Sequence, residues 1–101
     1  MPTTHDSTWT ALVAVRVPRD SPNSLVESAR RRLETPSEIR AVDVTALRAI
    51  DPALAATTVT VATVVDTTAE VDGATVRERL ASAPGSQRVT DLEATGVATT
   101  E

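Results

Sequence analysis

The chain has 101 residues, with 14 acidic and 10 basic side chains and a formal charge of −4; all ten basic residues are Arg. It has no Cys, Lys, Phe or Tyr, one Trp (Trp9) and one His (His5). These counts exclude disulfides, thiolate metal sites and zinc sites built on two or three His, and they leave a catalytic triad no imidazole outside the amino terminus.

The length fits one domain with one modest core, which Ala, Val, Leu and Ile must supply. Zero Lys beside many Asp, Glu, Thr, Ala and Val resembles proteins of salt-loving archaea, with a GC-rich bacterium as the alternative source. The longest apolar run, Ala11-Leu12-Val13-Ala14-Val15, is far short of the ~20 residues of a membrane-spanning helix. No basic region precedes an apolar stretch as in a signal peptide, so the expected location is the cytoplasm.

Residues 1–7 read as a polar, frayed leader. From Trp9 to Val17 the pattern has period two. Trp9, Ala11, Val13, Val15 and Val17 fall on one face, and Thr10, Leu12, Ala14 and Arg16 on the other. A strand apolar on much of both faces belongs inside a sheet. Pro18-Arg19-Asp20 ends it. Ser21 reads as a helix N-cap with Pro22 at the first helical position. Leu25, Val26, Ala29 and Leu33 form a helical stripe, which Thr35-Pro36 stops.

Ile39 to Ala46 reads as a second strand, with Val42, Val44 and Ala46 facing one way. Leu47 to Ala56 is ambiguous. Asp51-Pro52 signals a turn, whereas Leu47, Ile50 and Leu54 have the spacing of a helical turn; the reading is a hairpin with a long or irregular tip. Thr57 to Asp66 is the clearest strand, rich in β-branched residues. Asp72 caps a second helix, with Val71 and Val76 placed as a hydrophobic staple and Val76 and Leu80 facing inward. Pro84-Gly85 ends it. Gln87 to Ala94 is the last strand, and the three-residue offset of Val89 and Leu92 predicts an edge strand or a bulge. The tail, 96–101, is expected to fray.

The order β-α-β-β-α-β predicts a single α+β domain over residues 8–95, a ferredoxin-like sandwich with strand order 4-1-3-2 and both helices on one face. The two most apolar strands, the first and third, are the central ones in that topology. Val15-Arg16-Val17-Pro18 followed by a capped helix resembles small archaeal ferredoxin-like proteins, among them the nucleotide-exchange domain of archaeal elongation factor 1-beta. The resemblance lies in the order of elements, and no residue motif of the exchange factor carries over.

Three clusters invite a functional reading. Arg30-Arg31-Arg32 suggests nucleic acid, but Glu27 and Glu34 lie at salt-bridge spacing, the domain is acidic, and Trp9 is the single aromatic available for stacking; these features argue against a nucleic-acid partner. Arg16, Arg19, Ser21 and Asn23 surround a helix N-terminus, where a small anionic ligand could bind. Asp66, Glu70 and Asp72, with Thr67 and Thr68, offer oxygen ligands but not the spacing of a calcium loop, and read more simply as a loop with a capping Asp. No cofactor motif appears, and no titratable cluster favours an enzyme.

If Val13, Val15, Val59 and Val61 face the helices, the opposite sheet face carries Thr10, Leu12, Ala14, Thr60, Ala62 and Val64. Leu12, Ala14, Ala62 and Val64 are the candidate oligomer interface. The expected function is that of a non-catalytic module that self-associates, with anion or metabolite binding at Arg16 and Arg19 as the alternative and an enzyme using carboxylate chemistry as the second.

Overall fold

The computed structural model describes residues 8–19, 24–67 and 71–95. In chain order the elements are β1 (Thr8–Pro18), α1 (Leu25–Leu33), β2 (Ile39–Pro52), β3 (Ala56–Thr67), α2 (Gly73–Ala81) and β4 (Ser86–Thr95). The four strands form one antiparallel sheet in the order β2-β3-β1-β4. This is the predicted order read from the other edge.

The central pair is built by simple alternation. Register between β1 and β3 runs without a break from Thr8 opposite Asp66 to Pro18 opposite Ala56. Ala11, Val13, Val15 and Val17 of β1 and Val59, Val61 and Val65 of β3 are buried on one face, joined by Thr63 and Thr67. The Thr63 hydroxyl meets the requirement of a buried polar group by donating to the Ala11 carbonyl at 2.9 Å. Ala29 and Leu33 of α1 and Val76 and Leu80 of α2 complete the same buried cluster. Both helices therefore cover this one face of the sheet.

Trp9 lies at the rim of that cluster, half-buried. Its ring runs so close to Gly73, the first residue of α2, that a Cβ there would stand 3.4 Å from the indole.

Helix α1 begins later than the sequence suggests. Its N-cap is Ser24, whose hydroxyl accepts from the Glu27 N–H at 3.1 Å. Ser24-x-x-Glu27 is the spacing of a capping box, a stronger start signal than the Ser21-Pro22 pair. Ser21, Pro22 and Asn23 lie outside the described residues, as do the leader and the tail. Helix α2 starts where expected, with the Asp72 carboxylate accepting from the Thr75 N–H at 2.8 Å. Val71 packs against the cluster that holds Val76.

The largest departure is β2, which continues through 47–52 and pairs with β3 as far as Pro52 opposite Thr57. The Ala53 N–H then closes the turn on the Ala56 carbonyl at 2.9 Å. Register shifts between Val44 and Ala46 and between Leu47 and Ala49 explain the misleading pattern. Each shift adds a residue, which turns a period of two into an apparent three. Leu47 and Ile50 thus pair with Val61 and Val59 and share their face, although they are three apart. Ala46 pairs with Ala62 and faces away from Val42 and Val44, contrary to the simple alternation.

Candidate interaction surface

The helix-free face of the sheet is a lattice of cross-strand rows. Paired residues across a sheet share a face, so the rows follow from the register. The middle row is Ala46, Ala62, Leu12 and Thr90, on β2, β3, β1 and β4 in turn. On one side of it lies the row Asp43, Val64, Thr10 and Glu93. On the other side lies Ala49, Thr60, Ala14 and Arg88. Leu12, Ala14, Ala62 and Val64 therefore meet in one patch at the centre of the face, and all four are half-buried.

A shallow hollow of about 380 Å³ opens over this patch. Its floor includes Leu12, Ala62 and Val64, and its flanks carry Arg48 from β2 and Asp91 and Glu93 from β4. Asp91 stands at a break in the β1–β4 register and has φ +53°, the left-handed region that Asp tolerates better than most residues. The extra residue there lets Val89 pair with Val13 on the buried face while Leu92 also packs against the core. Asp91 and Glu93 are left on the open face. Arg48 is the member of this surface that sequence reading missed, because it sits in the stretch whose period the bulges disguise.

Both edges of the sheet are guarded against further strand pairing. On β2 the Val42 N–H donates to a Glu34 carboxylate oxygen at 2.9 Å. Beyond Val44 the strand is bulged twice. On β4 the ladder is broken twice, between the partners of Thr10 and Leu12 and between those of Ala14 and Val15. Bulges and occupied donors are what protect an exposed edge.

The other candidate groups are occupied locally. Glu27 bridges Arg30 and Arg31, and Arg30 also reaches Glu34. Hydrogen bonds from Arg30, then from Arg31, hold the Glu27 carboxyl down to about 2. Arg32 is half-buried, and its Nε has no partner among the described residues. Arg79 is paired with Glu38, which pins α2 to the start of β2. The Arg77 guanidinium donates to the Val89 carbonyl at 2.8 Å.

Of the anion-site candidates, Arg19 donates to the Leu54 carbonyl at 3.1 Å in the β2–β3 turn. Arg16 is exposed, opposite Thr58 on the helix-free face. Ser21 and Asn23 lie outside the described residues. In the acidic loop, Asp66 accepts from the Thr8 hydroxyl and Asp72 caps α2, whose Thr75 N–H lowers the Asp72 pKa; Glu70 lies outside the described residues. Among the described residues no group of three or more His, Cys, Asp or Glu could hold a metal ion, and no helix is long and apolar enough to cross a membrane. Compared with family models, with curated proteins and with solved structures, the chain matches none.

Proposed function

We propose that this chain is a non-catalytic module of the ferredoxin-like topology, working in a saline cytoplasm, that self-associates through the helix-free face of its sheet. The observation that carries this reading is the patch of Leu12, Ala14, Ala62 and Val64. It occupies the middle of a face that neither helix covers. Apolar residues gathered at the centre of a surface, with charges toward its rim, have the composition of an association surface. The guarded edges add support, because they disfavour the competing route of strand addition.

The area is also adequate. Four strands at ~4.8 Å spacing and about ten residues of length span roughly 600 Å² of plane, near the ~800 Å² per partner of a stable pair once side-chain relief is included. Anion binding at Arg16 and Arg19 has less support, because the Arg19 guanidinium is engaged by the Leu54 carbonyl.

Sedimentation equilibrium of the full chain tests the proposal. The wild type should be dimeric at micromolar concentration, and Ala62→Arg should be a folded monomer. A monomeric wild type, or a dimer that survives Ala62→Arg, would remove the support.

A further inference from the structure

The charges on the helix-free face are sorted along the strands. Asp43 and Glu93 end the row on one side of the uncharged middle row, and Asp91 flanks the hollow beside them. One row further out on the same side is Asp66, opposite Thr8. The row on the other side ends in Arg88, with Arg48 next to Ala49 at its opposite end. Arg16 follows one row further out. Asp51, at the tip of β2, and Arg40, the inserted residue beside Ala41 at the acidic end, are the exceptions. One end of the face is therefore predominantly acidic and the other predominantly basic, with Ala46, Ala62, Leu12 and Thr90 between them.

We infer that the partner on this face is a second copy of the chain, seated with its strands antiparallel about a two-fold axis that runs along the Ala46–Ala62–Leu12–Thr90 row, across the strands. This inference rests on the reading of the face as the self-association surface and adds how the copies are oriented. A two-fold axis in that position exchanges the rows on either side of it and keeps each strand over its own copy. Arg88 then faces the second copy's Glu93, and Glu93 faces the second copy's Arg88. Arg48 comes over Asp43, and Arg16 approaches Asp66.

The other simple packing of two aligned sheets has the axis parallel to the strands. It leaves each row over itself and exchanges β2 with β4. Asp43 then stands over Glu93, and Arg48 near Arg88. Both are like-charge contacts, which cost enough to suppress a wrong orientation. The sorting of charge thus selects the first arrangement. It also puts every Ala62 against the Ala62 of the other copy, where an introduced Arg would meet its own like.

Charge exchange within one chain is the test. Arg88 and Glu93 are two rows, about 14 Å, apart on the same strand, so their direct coupling is mostly screened at an ionic strength of 0.15 M, where the Debye length is ~8 Å. Arg88→Glu and Glu93→Arg should each weaken the dimer by about tenfold or more, and the double variant should return to within about threefold of wild type. Asp43→Arg and Arg48→Asp form a second, independent pair with the same expected rescue, in case one single variant does not fold. Recovery in either pair supports the arrangement.

Two results overturn it while leaving the face itself intact: double variants as weak as the singles, or a Glu93→Arg dimer tighter than wild type, as the parallel axis requires. A monomeric wild type, or a dimer indifferent to Ala62→Arg, instead refutes the use of this face.

Discussion

The inner strands and the edge strands of this sheet follow different rules. The β1–β3 ladder keeps one register from Thr8 to Pro18. Each edge ladder shifts at least twice. The inner pair is sandwiched between neighbours on both sides, and a slip of one residue would turn Val13, Val15, Val59 and Val61 out of the core. The edges have one neighbour each, so an extra residue costs little there and offers a way to turn away unwanted strands. Regularity in this fold tracks the number of neighbours a strand must satisfy.

Substitutions can break or sharpen that contrast. The largest effect is expected at Gly85, in the turn that leads into β4. Its φ is +81°, and an added Cβ would lie 2.5 Å from the Arg16 carbonyl oxygen. Gly85→Ala should cost about 2–4 kcal/mol in chemical denaturation, because left-handed strain and a backbone displacement add together. A neutral result would mean that β4 moves freely against β1.

Within the ladders the order reverses in favour of the inner strands. Val61 is fully buried, while Ile50, on the same face of β2, is 51% exposed. Val61→Ala should cost about 2 kcal/mol and Ile50→Ala less than half as much. Equal costs would show that the β2 extension is as firmly packed as the centre. At the β4 bulge, Asp91→Val should cost about 1–2 kcal/mol, since a β-branched residue resists positive φ. A stabilised Asp91→Val would imply that the strand regains regular pairing there.

Two smaller effects lie outside the ladders. Glu27 titrates near 2 in the folded chain, held down by Arg30 and then Arg31, against an ordinary 4.5. A depressed carboxylate contributes stability that is fully present above the unfolded value and is lost as pH falls through the folded one. The stability difference between wild type and Glu27→Gln should therefore be constant above about pH 5 and shrink toward pH 2; a difference independent of pH would show that the bridge contributes nothing. Molar KCl should raise the melting temperature modestly, by screening the excess of acidic groups and strengthening apolar burial. A flat or falling melt would favour a GC-rich genome as the origin of the Lys-free composition.

The same contrast explains what could be read in advance. Period-two alternation made β1 and β3 legible, and together with the helix stripes it fixed the order of elements. The patch of Leu12, Ala14, Ala62 and Val64 followed, because those residues lie on the strands whose alternation is unbroken. On the edges an inserted residue defeats pattern reading. The spacing of Leu47 and Ile50 imitates a helix, and so Arg48 went unnoticed. The sorting of acidic and basic residues into rows depends on register, which the sequence of a single chain does not display. At the start of α1 the two local signals compete: Pro22 suits a first helical position, but Ser24 with Glu27 is the stronger start and sets the cap.

The contact between Trp9 and Gly73 gives the molecule a built-in optical reporter. With no Tyr, Trp9 is the dominant source of ultraviolet emission, and its indole lies against the first residue of α2. Emission therefore reads the seating of the second helix on β1, whereas far-ultraviolet circular dichroism sums both helices and the sheet. If the domain unfolds in one cooperative step, the two signals will trace a single curve against denaturant; if α2 lifts away first, the fluorescence will shift while the ellipticity still holds.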